Sequence, residues 1–469
     1  MTTTYTFSDI LPQERILSSV PDRLVYNADG VTLEKFTPSQ VLLPISTNEV
    51  SLIVAHCKEN NIPYVTRGAG TGLSGGVLAC NDAVMIVTSK LNRIIEINQT
   101  EGWAMVEPGV VNAKLSKESS KYGFHFAPDP SSGNASTIGG NIAENAGGPH
   151  CLKYGATAEH VLAIEVVLTD GSIVWLDSND STAPLLSLFM GSEGTLGIIT
   201  KAKVKLTPIA EAVTTLLIDF PSVRDASQCV SSIIAAGIIP AAMEMIDAEV
   251  LDALEEAFKF GFPTDAGALL LIEVDGRKAS LQRIADSIIT IANSHNARTI
   301  RTAKDDAERM QLWQARKKAF GALGRVSPSY YTQDGVIPRY ALPEVLEEIS
   351  RIGKKYELRI ANIFHAGDGN LHPAILYDER SKESIHRCLE ASKEILQLCI
   401  RYNGSITGEH GVGIEKKEAL GWMFSDTDLE MMKKVRDVFN PLGSLNPGKF
   451  LPTDHPCMET GMKHRQVAV

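Results

Sequence analysis

Hydrophobic spacing along this chain of 469 residues switches repeatedly between a helical and a strand period. Residues 48–61 carry Val50, Ile53, Val54 and Cys57 at helical spacing, which predicts an amphipathic helix. Apolar runs at 63–66, 83–88, 93–98 and 103–107 read as strands, and 113–122 as a helix. Residues 128–149 are dense in Pro, Ser, Gly and Asn and are expected to form a loop. Ile164–Thr169 and Ile173–Leu176 flank Asp170-Gly171, a hairpin signal. Residues 193–206 read as a further strand pair.

The middle of the chain repeats a βαβ order. Val213–Asp219 reads as a strand, 222–236 as a helix with Val223, Ala226, Val230 and Ile233 on one stripe, and Ala241–Ile246 as a strand. The order returns in Ala268–Val274, helix 279–294 and strand 298–302, so a split-βαβ, ferredoxin-like sheet is expected. Then follow helix 305–323, an extended segment at 330–338, helix 343–356 and strand 358–364. Helices are expected at 379–402, 415–422 and 427–438. The class is α+β, and the length implies two or three domains.

Charge and cysteine usage narrow the function. A net charge of −11 with no basic run argues against nucleic acid. The start, MTTTYTFSDILPQE, lacks the basic and apolar regions of a signal peptide. Runs such as Leu269–Ile272 are far short of the ~20 residues of a membrane span. The seven cysteines (57, 80, 151, 229, 388, 399 and 457) are odd in number and contain no C-x-x-C. That disfavours an iron–sulfur or cysteine–zinc site in this chain and suits a reducing cytoplasm.

Residues 66–76, TRGAGTGLSGG, contain G-x-G-x-x-G at Gly70, Gly72 and Gly75. A Rossmann loop must open a helix, yet the next strand begins within a few residues and the acidic residue about 20 positions on is missing. A strand–loop–strand with consecutive small residues remains. It can turn backbone N–H groups into an anion nest, or it is an ordinary glycine-rich turn. A second loop at 128–148 holds Pro128, Ser131, Ser132, Thr137, Gly139, Gly140, Asn141, Asn145 and Gly147, which supply donors for phosphates and a flavin edge. A third segment, GSEGTLGIIT at 191–200, brings Glu193, Gly194, Gly197 and Ile198.

In FHAGDGNLHP, 364–373, Asp368-Gly369 reads as a two-residue hairpin turn. That register sets His365 opposite His372 on one face, where two imidazoles can converge on a metal ion. GEHGVG, 408–413, offers the carboxylate of Glu409 with His410 beside it. The alternative is that these histidines cap turns or sit in the core.

The three glycine-rich segments resemble the FAD-binding domain of the vanillyl-alcohol oxidase (PCMH-type) superfamily, with VLLPIST (41–47) like its entry and NPGK (446–449) like its exit. The resemblance implies that Arg67, Gly68, Ala69, Gly70, Thr71, Gly72, Ser74, the residues of the second and third segments and Asn446 contact FAD. Covalent members carry a histidine where Thr71 stands, so non-covalent FAD is expected. Nearly the whole chain resembles the FAD-linked subunits of glycolate oxidase and the D-lactate dehydrogenases. By motif, His365, His372 and Glu409 would hold a divalent metal, Zn or Mn, and His410 would be the general base. Arg316, in WQARKKAFGALGR, would clamp a substrate carboxylate, whereas a solvated helix face suits Lys317 and Lys318 better. Dehydrogenases of D-2-hydroxyglutarate have an asparagine where Ala374 stands.

The resemblance thus implies four parts: an N-terminal segment 1–35, a PCMH-type FAD-binding domain 36–210, a ferredoxin-like α+β cap domain with the metal at 211–420, and a C-terminal helical segment 421–469. It implies oxidation of a small 2-hydroxy acid, glycolate or D-lactate, with electrons passed to a quinone or to partner flavin and iron–sulfur subunits. Through such a partner a cytoplasmic chain would sit at the membrane periphery. A D-2-hydroxyglutarate dehydrogenase, a metal-dependent hydrolase and a non-catalytic flavin subunit are the rival readings.

Overall fold

A computed structural model describes residues 5–31, 33–79 and 83–452. Cys80, Cys457, the first four positions and Thr32 of the N-terminal segment, and 453–469 of the C-terminal segment lie outside the described residues. The chain divides into two units: residues 5–148, 155–209 and 409–452 form the first, and 149–154 and 210–408 the second.

In the first unit, Gln40–Leu42, Val84–Val87 and Tyr64–Arg67 form a parallel sheet. Parallel strands are buried on both faces, and side chains alternate between them. Accordingly Val84 and Ile86 enter one core with Val50, Ile53 and Val54 of the helix Thr47–Glu59, while Met85 and Val87 enter another. Ser46 caps that helix by accepting from Glu49 N–H. A second, antiparallel sheet runs in the order Ile94–Asn98, Trp103–Val106, Ile198–Lys205, Val161–Val167, Ile173–Asp177. Its last two strands are joined through Asp170-Gly171, with Gly171 at φ +86°.

Two expectations change here. The loop expected at 128–149 contains the helix Ile138–Glu144. Its two glycines hide it from propensity, but Thr137 caps it, and Ile138 and Ile142 bury one turn apart. The strand pair expected at 193–206 is a single strand, because Glu193 (φ +51°) and Gly194 (φ +65°) turn the chain just before it.

The second unit is built on the antiparallel order Thr299–Thr302, Ala212–Phe220, Ala268–Gly276, Ala242–Asp247, which is the ferredoxin-like 4-1-3-2 arrangement. Arg359–His365 extends it along Ala242–Asp247. Helices Val223–Ala235 and Lys278–Ser294 pack on the sheet. Asp306–Val326 and Ala248–Phe258, the latter unexpected from the sequence, share a core with Leu217, Ala242, Ile246, Leu269 and Leu271. The helix expected at 415–422 is a 3-10 turn, Lys417–Trp422, of the first unit.

Candidate functional site

The first unit carries an open cleft between its glycine-rich segments. Of the residues expected at FAD, Arg67, Gly68, Gly139, Gly140, Glu193, Gly194, Gly197, Ile198 and Asn446 line it. Their contacts explain the residue types. Asn446 Oδ1 accepts from Thr66 N–H at 2.9 Å while its Nδ2 donates to Glu193 O and Gly194 O at 2.9 and 3.0 Å, clasping two walls. Gly70, at φ +74°, lies against the Arg67 guanidinium with no room for a side chain. Burial lowers the Arg67 pKa, which the charge of Asp29 counters.

Among the described residues, the backbone N–H groups of 69–77 donate no hydrogen bond. Amides without protein acceptors suit an anion-binding nest, and equally a solvated glycine-rich turn. Ala69, Gly70, Thr71 and Gly72 belong to this run beside the cleft lining. Ser74 also ties the loop to the chain after His410, since its Oγ donates to His410 O at 2.8 Å.

Other expected residues are placed differently. Thr137 accepts from Gly140 N–H as a helix cap and leaves Gly68 no room for a side chain. Asn145 takes a left-handed φ of +51° and accepts from Ala158 N–H. Pro128 O accepts from Asn112 Nδ2, Ser131 is exposed, Ser132 O closes a turn with Ala135 and Ser136, and Asn141 and Gly147 are buried off the lining. Sequence reasoning missed Glu144, which lines the cleft.

In the second unit, His365 and His372 are each 4% exposed, with ring centroids 5.0 Å apart and planes at 83°. A ring nitrogen of each lies within 4.8 Å of the other. The hairpin register differs from the expected one: His365 pairs with Asn370, and 366–369 form a four-residue loop. Gly369 (φ +81°) is pressed on Ile337 O, and Gly367 N–H donates to Met243 O, so tertiary contacts set the loop length. The histidines still meet because His372, two residues past Asn370, is the diagonal neighbour on the same face.

Two carboxylates missed by the sequence reading organise this pair. Glu244 is fully buried, and its Oε1 takes the Nδ1–H of His365 at 2.7 Å while Oε2 takes Arg316 Nε–H at 2.6 Å. Burial pushes the Glu244 carboxyl up, but the charges and hydrogen bonds of His365 and Arg316 outweigh it and hold the pKa at about 2. Arg316, itself 3% exposed, is therefore no solvated face residue, and no described hydrogen bond engages its Nη atoms. Asp334 stands 3.5 Å from His372 Nε2 and accepts from Thr407 Oγ and Gly408 N–H. Gly408, where a Cβ would lie 2.6 Å from the Asn370 amide carbon, is thereby fixed one residue before Glu409.

The signal for Glu244 was present in the strand AMEMID: a glutamate alternating with residues that all bury. Glu273 in ALLLIEVDG is its counterpart, taking donors from Thr215, Arg309, His150 and Trp313. Buried charges demand partners, so each such glutamate announces a cation elsewhere in the chain.

Parallel and antiparallel sheets with a glycine-rich loop beside a cleft, followed by an extended ferredoxin-like unit, define a flavin-binding oxidoreductase fold. Residues 38–177 match the family described as FAD binding domain, and 209–450 the family described as FAD linked oxidases, C-terminal domain. The chain belongs to this family of FAD-linked oxidases. It is 44% identical over 457 residues to glycolate oxidase subunit GlcD of Escherichia coli (strain K12), covering 97% of this chain and 92% of that one. It is 30% identical over 456 residues to D-lactate dehydrogenase of Anaerostipes hadrus, covering 95% and 96%. Among solved structures, p-cresol methylhydroxylase with substrate bound superposes with a TM-score of 0.80 at 15% identity, over 94% of this chain and 95% of that one, which shows the shared fold.

Thr71 lies in the amide run and offers no imidazole for covalent attachment of a flavin. Acid precipitation of the purified protein should therefore release all flavin to the supernatant; a pellet that stays yellow would contradict non-covalent binding.

Proposed function

We propose that the protein oxidises a short D-2-hydroxy acid, glycolate or D-lactate, to its 2-oxo acid. The carrying observation is the buried brace Arg316–Glu244–His365, which presents an arginine with uncommitted Nη atoms alongside an imidazole held at Nδ1. The names of the relatives, a glycolate oxidase subunit and a D-lactate dehydrogenase, support the substrate class.

Arg316 clamps the substrate carboxylate through its two Nη atoms, and Glu244 fixes the guanidinium plane. His365, His372 and Glu409 are the ligands of a divalent ion, Zn or Mn; the buried imidazole pair and the Nδ1-side carboxylate behind His365 fit such a site. Asp334 orients His372. Bound FAD supplies the acceptor for the C2 hydride, and the bound ion supplies Lewis acidity at the hydroxyl. His410, neutral, removes the hydroxyl proton. The cofactor-contacting set is Arg67–Gly72, Ser74, Gly139, Gly140, Glu193, Gly194, Gly197, Ile198 and Asn446, all in the first unit.

Electrons leave to a quinone or to partner flavin and iron–sulfur subunits; one relative is named a subunit. No helix among the described residues is long and apolar enough to cross a membrane, and we place the chain in the cytoplasm, reaching the membrane only through a partner.

Ala374 supports a short substrate. It is fully buried, paired with Ala361 and Thr332 in the sheet, and has no polar group for a second carboxylate. A substrate panel with an artificial electron acceptor should give glycolate or D-lactate a kcat/KM at least about tenfold above that of D-2-hydroxyglutarate, a difference of ~1.4 kcal/mol in transition-state binding. The reverse order would overturn this assignment.

A further inference from the structure

Two carboxylates share the flavin cleft of the first unit, and they differ in how they are satisfied. Glu193, 4% exposed, accepts Val412 N–H on Oε1 at 2.6 Å and Gly413 N–H on Oε2 at 2.7 Å. Glu144, the last residue of the helix Ile138–Glu144, is half-buried as a residue, but its Oε2 is fully shielded and has no hydrogen-bond partner among the described residues. The two acids converge on one point. A Cβ on Gly411 would lie 2.7 Å from Glu144 Oε2 and 2.9 Å from Glu193 Oε1, and one on Gly76 would lie 3.1 Å from Glu144 Oε1. Glycine at both positions leaves the room these carboxyl groups occupy.

An ionised carboxylate without a donor, beside another carboxylate and shielded from water, is the costly arrangement in a protein interior. Burial, then the charge of Glu193, then that of Asp29 all push the Glu144 carboxyl well above its ordinary range. The cations Lys416 and Lys449 and the two amides serve Glu193, whose carboxyl burial nevertheless raises. The pair therefore has one proton to place, and the side chain without donors holds it.

We propose that Glu144 is a positioning residue for the cofactor: it stands in the fold as a neutral carboxylic acid and donates a hydrogen bond to an acceptor atom on the edge of the bound flavin ring. The cleft it lines also contains Gly197 and Ile198 of the third glycine-rich segment, and a flavin ring edge, rich in carbonyl oxygens and nitrogens, is a complementary acceptor. No proton is transferred in this role. The inference rests on FAD being the occupant of the cleft.

The test compares holoproteins. Parent, Glu144→Gln and Glu144→Leu are purified with FAD, and the dissociation constant is read from the fluorescence of flavin released on serial dilution. Gln keeps a neutral donor and should stay within about threefold of the parent. Leu removes it and should weaken FAD binding about tenfold, the size of one net hydrogen bond, and should shift the visible flavin band. An unchanged constant in Glu144→Leu, or an equal loss in Glu144→Gln, would overturn the proposal. Should the leucine variant fail to fold, the infrared spectrum still decides. The parent at neutral pH should show a carboxylic-acid carbonyl band that Glu144→Gln lacks, and absence of that band from the parent would refute a neutral Glu144. A parent that never holds flavin would instead refute the cofactor reading on which this inference rests.

Discussion

Changing His372 to alanine should remove bound metal and activity together and leave the protein yellow. His372 and His365 are the buried pair of the second unit, whereas the free amides of 69–77 and the cleft belong to the first. His365→Ala should give the same result. His410→Ala should separate the two losses: the ion stays near full occupancy while kcat falls by roughly 10²–10⁴, the usual contribution of a positioned base. A base that must be neutral also makes kcat/KM rise with pH on the acid limb, and that limb should vanish in the His410 variant. Metal analysis of the purified variants alongside their visible spectra decides the assignment. Equal metal loss in all three would make His410 a ligand and place the base elsewhere.

Much of this arrangement could be read in the chain, and the exceptions share a physical cause. The helix Thr47–Glu59 and the hairpin at Asp170-Gly171 follow local rules, a four-residue apolar stripe and a two-residue turn, so they were legible. The histidine hairpin obeys the same turn chemistry in sequence, yet its loop is four residues long. Gly367 and Gly369 are held by Met243 and Ile337, which are distant along the chain. Register fixed by long-range contacts is invisible to a local rule. The run of small residues at 69–77 was legible, but not that its amides would find no acceptor among the described residues. Glu244 and Asp334 were legible only in half. A glutamate at a core-facing strand position signals a buried partner, but nothing in AMEMID says that Arg316 and His365 supply it across 72 and 121 residues.

Glu244→Gln should be the most damaging change outside the groups that meet substrate or metal. The side chain is fully buried and joins Arg316 to His365, so a neutral isostere leaves the Arg316 guanidinium without its counter-charge. Removing one partner of a buried ion pair typically costs about 3–5 kcal/mol, because the remaining charge stays desolvated. Part of that loss appears in function. An amide in place of the carboxylate no longer fixes the Nδ1–H tautomer of His365, and loss of such a partner typically costs about 10–100-fold in metal affinity. Arg316 loses the bond that orients its plane, so KM for the hydroxy acid should rise along with the fall in kcat. Chemical denaturation, metal titration and steady-state kinetics on one preparation measure the three effects, and Arg316→Lys supplies the comparison. Lysine keeps a positive charge opposite Glu244 but cannot present paired N–H groups to a carboxylate, so it should raise KM while retaining most of the stability and the metal. If Glu244→Gln matched the parent in metal affinity and KM, the brace would be scaffolding alone, and the substrate clamp would have to be sought away from Arg316.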